Sequence, residues 1–192
     1  MDFDIDREDI RKSVPALARG LGLSMTFPYI EPYLIRTMRG ALEFATDEQL
    51  IQDVKQFIGQ EEQHFRQHQK VNDVLRGLCP AYAELQVIED ELASDYQRFT
   101  TMKSLRFNLA YAEGFESATC SVARQELTRP EPGDTGIQRL LKWHGIEELE
   151  HRTVTFDLYH HLYGGYFYRL LVGMFAQYHY FKYVLRFAGY IS

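Results

Sequence analysis

Hydrophobic positions recur along the chain at the spacing that amphipathic α-helices require. Leu85, Ile88 and Leu92 show the pattern clearly, three and four residues apart with charged residues between them. The sequence has neither a run of alternating β-branched residues nor the Asn-Gly or Asp-Gly pairs of tight hairpins. The pattern therefore predicts an all-α protein. Its predicted helices span about residues 16–44, 48–78, 81–99, 102–127, 136–162 and 166–190.

Prolines and glycines mark the interruptions between these helices. Pro28 and Pro32 fall inside the first helix, so we expect a kink or a restart near Phe27. The segment 128–135 holds two prolines and a glycine and is predicted to be a loop. Gly164-Gly165 separates the last helix from the one before it.

Composition and charge are those of an ordinary globular domain. Hydrophobic residues make up 45% of the chain and charged residues 25%, and the formal net charge is -6. An acidic chain of this kind has no electrostatic basis for general nucleic-acid binding. Two cysteines without a CxxC motif and an acidic N-terminus favour a cytoplasmic protein. We predict one domain over residues 1–192, with a core at about 16–162 and an aromatic C-terminal helix at about 165–190.

Two Glu-x-x-His pairs are the first candidates for chemistry. Glu61 precedes His64, and Glu148 precedes His151, each by three residues on a predicted helix, so that both side chains share one face. Two such pairs, with one glutamate from each of two other helices, form the inward ligand set of ferritin-like di-iron and di-manganese bundles. Random placement gives about 0.6 such pairs in this composition, so solvated charged helix faces remain the alternative.

Two more histidines extend these faces. His68 follows His64 by four residues, and His144 precedes Glu148 by four, in segments that also carry apolar residues. Stacked polar side chains beside an apolar face are costly to bury without a partner, and a metal would supply one.

The remaining two ligands would be single glutamates. Glu31 lies in an apolar, aromatic stretch, where an ion pair with Arg36 or Arg39 is the alternative explanation. In the helix over 102–127, Glu113 and Glu116 compete for the role, and we favour Glu113.

Three blocks of sequence carry a family resemblance. They are Phe27-Pro-x-x-Glu31 followed by Arg36, then Gln60-Glu61-x-x-His64-x-x-x-His68-x-x-x-Asn72, and then Trp143-His144-x-x-Glu147-Glu148-x-Glu150-His151 followed by Phe156-Asp157-x-Tyr159. Together they resemble the bacterial family of predicted metal-dependent hydrolases over about residues 27–159. That family usually has Glu-His-Phe-Thr-Ala in its third helix, whereas this chain has Glu113-Gly-Phe-Glu116-Ser.

The last block also resembles di-iron arylamine N-oxygenases, in which an extra histidine ligates one iron. This resemblance implies a ligand set of three histidines and four carboxylates. The implied ligands are Glu31, Glu61, His64, Glu113, His144, Glu148 and His151. We expect three further residues, His68, Asp157 and Glu116, to orient ligands by hydrogen bonding.

Imidazole and carboxylate ligands suit iron, manganese or zinc, and a ferritin-like helical bundle with additional helices favours iron or manganese. We predict two iron ions, with manganese or zinc as the alternatives. We therefore predict a dinuclear non-haem oxidoreductase, a di-iron oxidase or oxygenase that uses O2 on a small organic substrate. The alternative is a metal-dependent hydrolase that uses a metal-bound hydroxide. The second alternative is a non-catalytic metal-binding or structural bundle.

The C-terminal helix is unusually aromatic. Its longest uncharged stretch, residues 170–181, is shorter than the roughly 20 residues that span a bilayer, so we do not expect a transmembrane helix. Three roles remain open for it. We favour packing on the bundle, with a homodimer interface or a peripheral membrane contact as the alternatives.

Overall fold

The computed structural model describes residue 3, residues 5–128 and residues 135–191. This part of the chain forms seven helices and no strand, which confirms the all-α prediction. The helices are α1 (Arg7–Leu42), α2 (Glu48–Arg76), α3 (Tyr82–Met102), α4 (Leu105–Leu127), α5 (Gly136–Glu150), α6 (Val154–Leu162) and α7 (Tyr166–Ile191). The predicted loop over 128–135 lies mostly outside the described residues.

The first helix begins earlier and bends elsewhere than the sequence suggested. The Asp6 side chain accepts a hydrogen bond from the backbone N–H of Asp9 and so caps α1, nine residues before the predicted start. The backbone leaves helical geometry at Leu17 (φ -120°, ψ 16°) and not near Phe27. The predicted position of the kink was therefore wrong.

A side chain from α2 explains how α1 accommodates Pro28. In a regular helix the carbonyl of Ser24 would accept from the N–H of residue 28, which proline lacks. The Asn72 side chain of α2 donates its Nδ2 to this carbonyl at 3.0 Å. The Ser24 hydroxyl donates in return to Oδ1 of Asn72, also at 3.0 Å. The Ser24 carbonyl, which has no partner within its own helix, thus joins α1 to α2 close to the segment that carries Glu31.

The predicted helix over 136–162 is two helices, α5 and α6. The break covers residues 151–153, and α6 begins within Thr153, Val154 and Thr155, three β-branched residues in a row with lowered helix propensity. Arg152 donates from Nη1 to the carbonyl of Leu149 at 2.7 Å, which satisfies one acceptor at the end of α5. His151 is therefore the C-terminal cap of α5, not a residue in mid-helix.

Glycines allow α7 to lie directly on the backbones of α1 and α4. A Cβ atom on Gly114 would come within 2.4 Å of the Cα atom of Gly173, and one on Gly22 within 2.7 Å of the carbonyl oxygen of Val184. The inner face of α7 buries large side chains, among them Tyr180, Tyr183 and Phe187. This contact covers α4, the helix that carries Glu113 and Glu116.

Candidate metal centre

Four segments of the bundle bring seven acidic and histidine side chains into its interior. Glu31 comes from α1, Glu61 and His64 come from α2, Glu116 comes from α4, and the other three come from α5 and its cap. Each is at most 4% exposed. We call these seven residues the Glu–His cluster: Glu31, Glu61, His64, Glu116, His144, Glu148 and His151.

The cluster contains three overlapping sets of potential metal ligands. In each set the ligand atoms lie within 4.8 Å of one another. The sets are Glu31 with His64 and His144, Glu61 with His64 and Glu148, and Glu116 with Glu148 and His151. Because His64 and Glu148 each belong to two sets, the three sets form one continuous site.

Two of the cluster histidines have one nitrogen held by a neighbour and the other directed at carboxylates. Nε2 of His64 lies 2.9 Å from Oε2 of Glu147, while its Nδ1 lies 3.4 Å from Oε1 of Glu61. Nδ1 of His151 lies 3.3 Å from Oε1 of Gln60, while its Nε2 lies 3.5 Å from Glu61 and 3.6 Å from Glu116. This division of roles is typical of histidines that ligate metals.

A hydrogen-bond chain sets the tautomer of the third histidine, His144. The only proton of the Ser24 hydroxyl goes to Asn72, so this hydroxyl accepts from Nδ1 of His68 at 2.9 Å. Nε2 of His68 then accepts from Nδ1 of His144 at 2.8 Å. In the neutral imidazole, Nε2 of His144 therefore carries a lone pair, and it lies 2.8 Å from Oε1 of Glu148. A proton or a metal ion must therefore lie between these two atoms.

Unsatisfied polar atoms concentrate in the same place. Among the described residues, ten buried side-chain atoms have no hydrogen-bond partner, and eight of them belong to the Glu–His cluster. They are both carboxylate oxygens of Glu31, Glu61 and Glu116, Nδ1 of His64 and Nε2 of His151. Buried polar atoms left in this state are strongly destabilising, whereas metal ions would give each one a partner. The donor set therefore fits a bound metal.

Burial also perturbs the protonation of the cluster. Burial and the neighbouring carboxylates raise the pKa of Glu31 and of Glu116 well above the usual range. Burial would lower the pKa of His64, but the hydrogen bond to Glu147 and the nearby charge of Glu61 outweigh it and raise the pKa to about 10. Burial lowers the pKa of His68, which keeps it neutral. Burial and mutual repulsion thus favour the protonated forms of these carboxyl groups, whereas bound cations would stabilise their charged forms.

The structure brings six of the seven sequence-predicted ligands together and leaves Glu113 out. The Glu113 carboxylate accepts from Nη1 of Arg169 at 2.5 Å and from the Ser117 hydroxyl at 3.2 Å. Glu116, one turn further along α4, lies in the cluster instead. Contrary to the preference for Glu113 in the sequence, the geometry therefore favours Glu116.

Among the residues expected to orient ligands, His68 contacts His144 directly, whereas Asp157 is exposed on α6. Two others, Gln60 and Glu147, contact cluster histidines and were not singled out, although each directly precedes a predicted ligand in the sequence. Thr119 was also missed, and its hydroxyl donates to Oε2 of Glu148 at 2.6 Å.

Together, fold and site define a helical bundle with a buried Glu–His cluster that could hold metal ions. The model of the family described as predicted metal-dependent hydrolase matches residues 16–191. The chain belongs to this family, as its sequence blocks indicated. No curated protein and no solved structure matches the chain.

Proposed function

We propose that the protein is a metal-dependent enzyme whose Glu–His cluster holds two metal ions. One ion would be held by Glu116, Glu148 and His151, and the other by Glu31, His64 and His144. Glu61 faces both sets, since its Oε1 lies 3.4 Å from Nδ1 of His64 and 3.5 Å from Nε2 of His151. These nitrogen and oxygen donors suit iron, manganese or zinc.

One observation carries the proposal. Each of three buried histidines is anchored at one ring nitrogen, by Glu147, His68 or Gln60, and presents the other to buried carboxylates. Solvated helix faces, the alternative for the Glu-x-x-His pairs, would not be buried to this degree. Second contacts of this kind fix the ring orientation and make the free nitrogen a better ligand.

As the reaction we propose hydrolysis, which the family description supports. Metal ions held there would supply the Lewis acidity that such a reaction needs. The chain's own residues would hold the ions, keep bulk water out and position protons. Glu147 is suited to the last role, because its half-buried carboxylate contacts Nε2 of His64 at 2.9 Å. That contact links the buried cluster to solvent.

The second candidate is O2-dependent oxidation of a small organic substrate by two iron ions. The donor arrangement favours it, because a glutamate from α1, a glutamate from α4 and Glu-x-x-His pairs from α2 and α5 match the ligand set of di-iron carboxylate bundles. The nearly complete burial of the ligands also favours a small reactant such as O2 over a bulky ester.

Metal content per chain tests the site. We expect about two metal ions per chain, as in dinuclear bundles, on protein purified without chelator and analysed by plasma emission spectrometry. Glu61→Ala and His151→Ala should each lose metal. Asp157→Ala, a change at an exposed carboxylate outside the cluster, is the matched control and should retain it. Two ions retained in both cluster variants would overturn the proposal.

The two reactions are separated by their need for O2. A hydrolase should turn over an activated ester or phosphate ester under anaerobic conditions, and Glu61→Ala should abolish this activity. An oxidase loaded with Fe(II) should instead consume O2 on exposure to air. Metal-loaded protein that does neither would support the non-catalytic alternative and contradict both reactions.

A further inference from the structure

Helix α7 has a second apolar face that the described bundle does not use. Its inner face packs on α1 and α4, whereas six large apolar side chains on the opposite side are at least 37% exposed. We call these six residues the outer stripe: Phe167, Leu171, Met174, Tyr178, Phe181 and Leu185. A helix that is apolar on all sides is normally buried on all sides.

The spacing of the outer stripe is that of a helix–helix seam. Successive members are four, three, four, three and four residues apart, the alternation that keeps apolar residues facing a partner helix. The middle of the stripe forms a shallow groove of about 380 Å³, which Met174, Tyr178, Phe181 and Leu185 line. Such a groove can accept a side chain that projects from a facing helix. We propose that the outer stripe is the interface with a second copy of this chain.

The exposed area of the outer stripe is close to that of one side of a stable dimer interface. Its six side chains expose roughly 700 Å², taking ~200 Å² for each large side chain. Typical largest apolar patches on monomers are roughly 300–600 Å². A standard interface buries about 800 Å² on each partner.

Charge favours a protein partner over an anionic lipid surface. Helix α7 has no acidic residue, but Arg169 pairs with Glu113 and Arg186 pairs with Glu91 inside the chain. Lys182 lies over the ring of Tyr183. Helices that lie on membranes combine an apolar face with a strongly charged, basic polar face, and these ion pairs neutralise most of that charge. Of the described helices, none has the length and apolar character to cross a bilayer.

A two-fold contact would place the same stripe on both partners, so one substitution acts twice. The full-length chain is studied by sedimentation equilibrium over a range of concentrations. We expect a species of twice the 22.5 kDa chain mass. Leu171→Glu and Tyr178→Glu should each weaken self-association by roughly 30-fold or more, as the loss of a central interface residue does. Val87→Glu, an equally drastic change at an exposed site on α3, should leave it unchanged.

Circular dichroism checks that the variants remain folded. An unchanged metal content would show that a loss of self-association does not come from a loss of the metal centre. Met174→Gln tests the same stripe without a charge if the glutamate variants fail to fold. A chain that stays monomeric at every concentration, or a dimer that Leu171→Glu leaves intact, would contradict the proposal. Monomeric protein that sediments with phosphatidylcholine–phosphatidylglycerol vesicles, but not after Leu171→Glu, would overturn it in favour of a membrane contact.

Discussion

Nε2 of His68 lies 2.8 Å from Nδ1 of His144, so that imidazoles from α2 and α5 share one hydrogen bond in the interior of the bundle. The Ser24 hydroxyl holds the other nitrogen of His68, and Asn72 in turn holds Ser24. Three helices therefore cooperate to direct Nε2 of His144 towards the cluster carboxylates.

Loss of His68 should weaken metal binding although it is not itself a proposed ligand. We expect His68→Ala to lower metal affinity by about 10- to 100-fold, because His144 loses the contact that sets its tautomer and orientation. A competition titration against a chromophoric chelator measures this change. His160→Ala, at an exposed histidine on α6, should leave the affinity unchanged. Equal affinities in the wild type and His68→Ala would show that this contact has no effect on the site.

Glu113 and Glu116 should respond differently to the same conservative change. We expect Glu116→Gln to lose metal, because it removes a charged ligand from the cluster. Glu113→Gln should retain metal but lower the free energy of unfolding by about 1–3 kcal/mol, because Arg169 loses its charged partner. Emission spectrometry and urea unfolding measure the two effects. The reverse pattern would restore Glu113 as the ligand.

The close contact between α4 and α7 should tolerate no side chain at Gly114. A Cβ atom there would collide with the backbone of Gly173, so we expect Gly114→Ala to destabilise the protein by about 1–3 kcal/mol or more. Gly59 on α2 is the matched control, since a Cβ atom there would meet nothing within 4 Å. Gly59→Ala should instead stabilise by about 0.5–1 kcal/mol. Thermal unfolding distinguishes these outcomes. Equal shifts in melting temperature for the two variants would mean that α4 and α7 can move apart to accommodate the extra methyl group.

A second buried network should make stability depend on pH. Asp95 on α3 accepts hydrogen bonds from Nε2 of His179 at 2.9 Å and from the Tyr183 hydroxyl at 2.7 Å. Burial would raise the pKa of Asp95, but these hydrogen bonds outweigh it and lower the pKa below the usual 3.8. A carboxylate whose pKa is lower in the folded state than in the unfolded state stabilises the fold at pH values above the unfolded-state pKa. This stabilisation is lost as the pH falls through the folded-state pKa.

Asp95→Asn should therefore be less stable than the wild type by about 1 kcal/mol at neutral pH, the typical value of a hydrogen bond in a protein. The difference should shrink as the pH drops below 3.8, where the wild-type carboxylate also becomes protonated. Urea unfolding of both proteins between neutral and acidic pH measures it. A difference that stays constant over this range would exclude the carboxylate charge as its origin.

Much of the fold could be predicted because helical periodicity is local. The predicted helix over 48–78 corresponds to α2 within two residues, and the apolar spacing of Leu85, Ile88 and Leu92 marked the buried face of α3. The end of α5 at His151 was missed, because a run of β-branched residues weakens a helix without requiring that it stop. The bend at Leu17 was missed as well, since the prolines pointed to Phe27. Pro28 leaves the Ser24 carbonyl without a helical partner, and the replacement partner is Asn72, which is 48 residues away in the sequence.

By itself, the sequence determined that Glu61 and His64 share a helix face, as do His144 and Glu148, because residues three and four apart are neighbours on any α-helix. It could not choose between Glu113 and Glu116, which are also three residues apart and meet that rule equally well. Only the tertiary structure places these two carboxylates in different surroundings. The close approach of Gly114 and Gly173 brings α7 against α4, and Arg169, one turn before Gly173, pairs with Glu113. Glu116 is left facing the other carboxylates, because a helix position acquires its chemistry from the helices packed against it.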